Sequence, residues 1–250
     1  MVRATWKSIA ALVASVALAT GCASTDPRKG LADVAEFSAT VEQVRQSSEL
    51  ARQRVDAAVK ALQAIARFDF KEDAPAIYTE FIAAVDASVQ QSAELHASIE
   101  RMKKKSVPIW KTWAENLDRF ASAEMRQHSQ ERQVALRERF DAVVTAAETA
   151  QVGCDAFDKT LSDHVAYLRY DFNAASLAVI QGEIAALAQC AATLASQFTT
   201  CQNAAKSYVE ATALPKPTET AAKESPKDAA GEAAQDALQQ PLKERSNGGR

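Results

Sequence analysis

The chain has 250 residues, a formal net charge of -3, 47% hydrophobic and 24% charged residues, and only 7 glycines and 7 prolines against 53 alanines. Between residues 31 and 213 the only Gly and Pro are Gly153, Gly182, Pro75 and Pro108. That is too little turn punctuation for a β-sandwich, a barrel, a Rossmann domain or a phosphate-loop enzyme. The charge balance shows no basic excess of the kind nucleic-acid binders carry, so an Ala-rich, all-α chain remains.

The N-terminus reads as an address. Arg3 and Lys7 form a short positive region, and residues 8–20 are apolar or small. This run is shorter than the ~20 residues a membrane-spanning helix needs, and it suits a secretory leader. It ends in Leu18-Ala19-Thr20-Gly21-Cys22. A small residue followed directly by Cys resembles a bacterial lipobox, which implies removal of residues 1–21 and lipidation of Cys22. The alternative is an ordinary secretory leader with an incidental Cys. Ala23 follows Cys22 in place of Asp, which by resemblance to enterobacterial sorting implies the periplasmic face of the outer membrane. Residues 22–30, with Pro27 and Gly30, read as a tether.

Four helices are predicted over residues 31–212, each with apolar residues at alternating steps of three and four, as in long bundles. The first seam runs Val34, Phe37, Val41, Val44, Ser48 and on to Ile65. Asp73 caps the second helix and Pro75 fits its first turn. The second seam runs from Tyr78 and Phe81 through Ser88, Ser92 and Met102 to Trp113 and Phe120. Its phase holds across Pro108, so a kinked helix with a turn near residue 121 is preferred to a turn near residue 106. Ser122 offers a modest cap for the third helix, whose seam runs from Met125 to Leu168, Asn173 caps the fourth helix, and the last seam runs from Leu177 to Tyr208. Antiparallel folding sets Leu62, Phe81, Leu161 and Ile184 at one level, and Val41, Met102, Phe140 and Ala205 at another. Large residues face small ones, as an evenly packed core requires. The expected fold is an elongated antiparallel four-helix bundle. Residues 213–250, with four prolines and almost no large apolar residue, read as a disordered low-complexity tail.

Few residues suggest chemistry. Cys154 and Cys190 fall at the same height on neighbouring helices and form a candidate disulfide, while Cys201 reads as a small buried hydrophobe. His96, His128 and His164 are scattered, with His164 expected partly exposed near a bundle end. No catalytic, metal or cofactor constellation emerges. The second and third helices outrun the others, so residues 110–125 are expected to project as a two-helix tip on the side of Cys22. Trp110, Trp113 and Phe120, beside Lys103, Lys104, Lys105 and Lys111, form a candidate contact for a membrane or an acidic partner. The alternative is that these aromatics cap the bundle and the lysines are merely solvated.

Several stretches carry a family resemblance. Trp113-Ala-Glu-Asn-Leu117 with Arg119-Phe120, then Ser129, Leu136-Arg-Glu-Arg-Phe140, and Tyr167-Leu-Arg-Tyr-Asp-Phe-Asn-Ala174 running to Gln181-Gly-Glu-Ile184, resemble the bacterial domain of unknown function numbered 2959. The resemblance implies an all-helical envelope protein with no defined catalytic residues. The expected role is therefore structural or protein-binding, without catalysis and without nucleic acid. The expected partners are a membrane reached through the anchor and an envelope protein, with self-association a candidate. Membrane contact through the tip, or a cell-wall tether through the tail, are the alternatives.

Overall fold

The computed structural model describes residues 27–70 and 73–213. Four antiparallel helices account for nearly all of them: α1 (Pro27–Ala66), α2 (Ala74–Leu117), α3 (Ala123–Leu168) and α4 (Ala174–Thr212). Each expected cap forms. The Asp73 carboxylate accepts from the Ala76 amide at 3.4 Å, and Ser122 Oγ from the Met125 amide at 3.3 Å. Asn173 Oδ1 accepts from the Ala175 and Ser176 amides at 2.9 and 3.0 Å. These bonds satisfy amides that a helix start leaves without partners. α2 continues through Pro108, so the second turn is residues 118–122, the preferred of the two readings. The leader, Cys22 and residues 214–250 lie outside the described residues. Residues 27–30, expected within the tether, belong to α1.

α1 packs on α2 and α4, α3 packs on the same two helices, and α1 meets α3 across the diagonal. The expected register holds to within about a turn between α1 and α4 and at the Tyr78 end of α2 and α3, while α3 is shifted by about nine residues where Lys103 meets Glu148. Tyr78 Oη donates to the Val165 carbonyl at 2.7 Å, Lys103 meets Glu148 at 2.9 Å, and Ser38 meets Thr212 at 3.0 Å. Leu62, Phe81 and Leu161 are buried together in the core, as are Val41, Met102, Phe140 and Ala205. Ile184, expected in the seam, sits at its partly buried rim.

Each end of the rod is closed by aromatic rings. At the end where α1 begins, Phe37 contacts Phe140 at 5.4 Å, Tyr208 at 5.7 Å and Trp110 at 6.0 Å between ring centres. One ring thus ties all four helices together. At the other end, Phe68 contacts Phe70 at 5.0 Å and Phe172 at 5.8 Å, while Tyr78 meets Phe172 at 5.9 Å. Such pairs add about 0.5–1.5 kcal/mol each beyond their buried area. Phe37→Ala should therefore destabilise the bundle by about 3–5 kcal/mol in chemical denaturation. A loss below about 1 kcal/mol would show that the ring is not holding the end together.

Candidate functional site

Two sets of residues have chemical character, one at an end of the bundle and one at its middle. At the α1 end, Trp110 is 7% exposed and stacks on Trp113 at 6.1 Å, with the Arg137 guanidinium 5.5 Å from its ring centre. Trp110 is therefore a core residue and not part of an exposed tip. The reason is that Phe37 and Phe140 reach its level. Trp113 is half-buried and donates from Nε1 to Ser129 Oγ at 3.0 Å. The expected projection is also reduced. α1 starts early enough for Gly30 and Asp33 to line the same groove as Asn116 and Phe120.

The lysines do not make a free basic surface. Lys103 bonds Glu148 and Glu100, each at 2.9 Å, and these hydrogen bonds push its ammonium above the usual range. Lys105 bonds Glu36, and Lys111 lies 4.0 Å from Glu115. Lys104 faces solvent. The end is thus apolar with neutralised edges, and not an electropositive patch.

At the middle, Asp158 on α3 is 5% exposed and accepts from two hydroxyls of α2, Ser88 Oγ at 2.5 Å and Ser92 Oγ. Burial pushes its carboxyl above the ordinary value, and the two serine hydrogen bonds oppose that shift only in part. Ser92 donates directly to Asp158 with no histidine between them. His96, one turn from Ser92, is turned to Gln151. Among the described residues, no group of three His, Cys, Asp or Glu side chains is placed to hold a metal ion. The sequence reading missed Asp158 because it lies beside the seam. The usable signal was a pair of serines one turn apart on the core face of α2, which require an acceptor.

The remaining expected residues are dispersed. Cys154 and Cys190 are free thiols: Cys154 is buried, next to Ser92, whereas Cys190 is exposed beside the α3–α4 groove. Equal height along the rod did not bring them to one face, so the expected staple does not form. Burial pushes the thiol of Cys154 up to about 12 and that of Cys201 up to about 11. His164 is buried, contrary to expectation. Its Nδ1 meets the Thr160 carbonyl at 2.7 Å and its Nε2 meets Glu183 at 2.9 Å, linking α3 to α4.

The end away from α1's start carries exposed aromatics. Tyr170 is 90% exposed, Tyr167 and Phe70 are also exposed, and Phe70 holds a left-handed backbone with φ 62°. A non-glycine residue there is strained by about 1–2 kcal/mol. Edge-on ring contacts of Phe70 with Phe68 and Phe172 offset that cost.

A family model described as "Protein of unknown function (DUF2959)" matches residues 30–212. The chain belongs to this family. The match covers the four-helix body from just inside α1 to the last residue of α4. No curated protein and no solved structure matches the chain. Membership in DUF2959 thus assigns the helical body to a family without assigning it a reaction.

Two outcomes follow from this geometry. Among the described cysteines, brief alkylation of the native protein should label Cys190 alone, with Cys154 and Cys201 labelled only after unfolding, because burial withholds both access and the reactive thiolate. Peptide mapping that finds Cys190 protected would contradict this. The second concerns Asp158. Its folded-state pKa lies above the ordinary 3.8, so the folded protein binds this proton more tightly than the unfolded chain. The associated stability is present at low pH and is lost as pH rises through the raised value. Asp158→Asn removes the buried charge while keeping one acceptor and one donor for the serines. It should be at least as stable as the parent at about pH 7, and its advantage should shrink toward about pH 4. A penalty at neutral pH that grows as the pH rises would overturn this account.

Proposed function

We propose that the protein is a lipid-anchored spacer of the bacterial envelope, without catalysis. An acylated Cys22 holds one end of the bundle at the membrane, on the periplasmic face of the outer membrane. The opposite end is presented to a protein partner. The observation that carries the reading is the polarity of the rod. The lipobox-like Leu18-Ala19-Thr20-Gly21-Cys22 immediately precedes α1. The exposed aromatics Tyr170, Tyr167 and Phe70 stand at the far end. The 40 residues of α1 separate the two ends by ~60 Å. Exposed tyrosines suit a partner surface, since they offer large contact area with few rotatable bonds. The long ladder of buried apolar layers supplies the stiffness that a spacer requires.

Contact with the membrane through the α1 end is the second reading, and the apolar groove at that end favours it. It is compatible with the first, because anchoring already holds this end near lipid.

Metabolic labelling with an alkyne-tagged fatty acid tests the anchor. The parent protein should carry the tag and sediment with membranes, and Cys22→Ser should carry none and become soluble. A tag that persists in Cys22→Ser would sink the reading. A photocrosslinking residue at position 170 should capture one discrete envelope protein, and the same residue at the exposed mid-rod position Val152 should not. Equal capture at both positions would remove the directional part of the proposal.

A further inference from the structure

At the end where α1 begins, the chain builds an apolar groove of about 420 Å³. Val34 and Phe37 line it from α1, and Ile109 and Trp113 line it from α2, with Phe120 from the turn that follows. Its volume falls in the range of roughly 300–1,000 Å³ that small-molecule sites occupy. Gly30 stands at its edge, and among the described residues a Cβ built there would meet nothing within 4 Å.

The occupant follows from chain length and charge. Only residues 23–26 separate Cys22 from Pro27, the first described residue of α1. Fully extended, that path spans about 17 Å. An acylated Cys22 therefore keeps the groove within reach of the bilayer's interfacial region. The groove's lining does not suit an acidic partner, because its one cation among the described residues, Lys105, is paired with Glu36 and Asp33 adds a second carboxylate. An apolar cavity held at a lipid interface and flanked by compensated charges matches hydrocarbon in preference to a charged ligand.

We propose that the groove receives an acyl chain of the bilayer that carries the anchor, docking the bundle end-on with Trp113 against the lipid. This rests on the acylation of Cys22 proposed above. It adds a specific lipid site and makes the contact apolar, with no dependence on anionic lipid.

The chain's own tryptophans report on it. Trp6 belongs to the leader, so the mature protein retains only Trp110 and Trp113. The acylated protein is reconstituted into phosphatidylcholine vesicles whose acyl chains do or do not carry bromine, a short-range quencher. Brominated chains should reduce tryptophan emission by about twofold, and about 1 M salt should not change this, because the contact is hydrophobic. Trp113→Phe should abolish most of the quenching, whereas Trp110→Phe should retain it. Ile109→Glu, at a partly buried position, should also abolish it, with unchanged helicity and thermal melting showing that the fold survives.

Mass spectrometry separates the two ways of failing. An unmodified Cys22 overturns both the anchor and the groove. An acylated Cys22 with unquenched Trp113 overturns the groove alone. Equal quenching of a Trp6→Phe/Cys22→Ser double variant by a brominated fatty acid in solution assigns the groove to a free fatty acid, and a lipid-independent change of Trp113 emission with protein concentration assigns it to a second copy. Either result overturns the bilayer as occupant.

Discussion

Everything in this molecule depends on burying four narrow apolar seams against one another. Helices of about forty residues expose far too much lateral surface to persist singly, and most of their stability comes from packing one face. Here the seams combine bulky and small residues. Phe81 and Leu161 are buried with Leu62, and the smaller Ala205 shares a level with Met102 and Phe140. Close packing of these layers holds the helices together along the rod, and a void left in any layer would cost stability.

The ends need more than the seam provides, since terminal layers have neighbours on one side only. Aromatic rings solve this at both ends, with Phe37 touching Phe140, Tyr208 and Trp110 at one and Phe172 joining Phe68, Phe70 and Tyr78 at the other. At the first end, closure leaves a lipid-sized groove among compensated charges. At the second, it holds Phe70 in a strained backbone and leaves Tyr170 outside. The two ends are therefore chemically distinct, and that difference is the basis for assigning them different tasks. The middle is interrupted by one buried carboxylate. Asp158 is tied to α2 by hydroxyls and not by a cation, an arrangement in which burial opposes ionisation.

The sequence made most of the fold legible because local signals and global packing agree. Asp73, Ser122 and Asn173 each cap the helix expected of them, and the unbroken phase of the seam across Pro108 correctly indicated a continuous α2. Height along the rod was readable because it depends only on distance from a turn. Facing was less readable. Cys190 adjoins the seam residue Ala191, but each helical step turns about 100°, and that turn carries it to solvent. A seam also understates burial, because every helix touches two neighbours, and a flanking position such as Asp158 is enclosed as well. For Trp110 the sequence left two readings open, a projecting contact and a cap on the bundle end, and its burial against Phe37 and Phe140 selects the cap.

The central claim is that this is a rod standing end-on at a membrane, with its Tyr170 end far from the lipid. Energy transfer from a fluorophore at position 170 of the acylated protein to acceptors confined to the bilayer surface measures that height directly. A separation of ~60 Å, the length of one forty-residue helix, is the result the account predicts. A separation below about 30 Å would mean that the bundle lies flat on the surface, and it would contradict the claim.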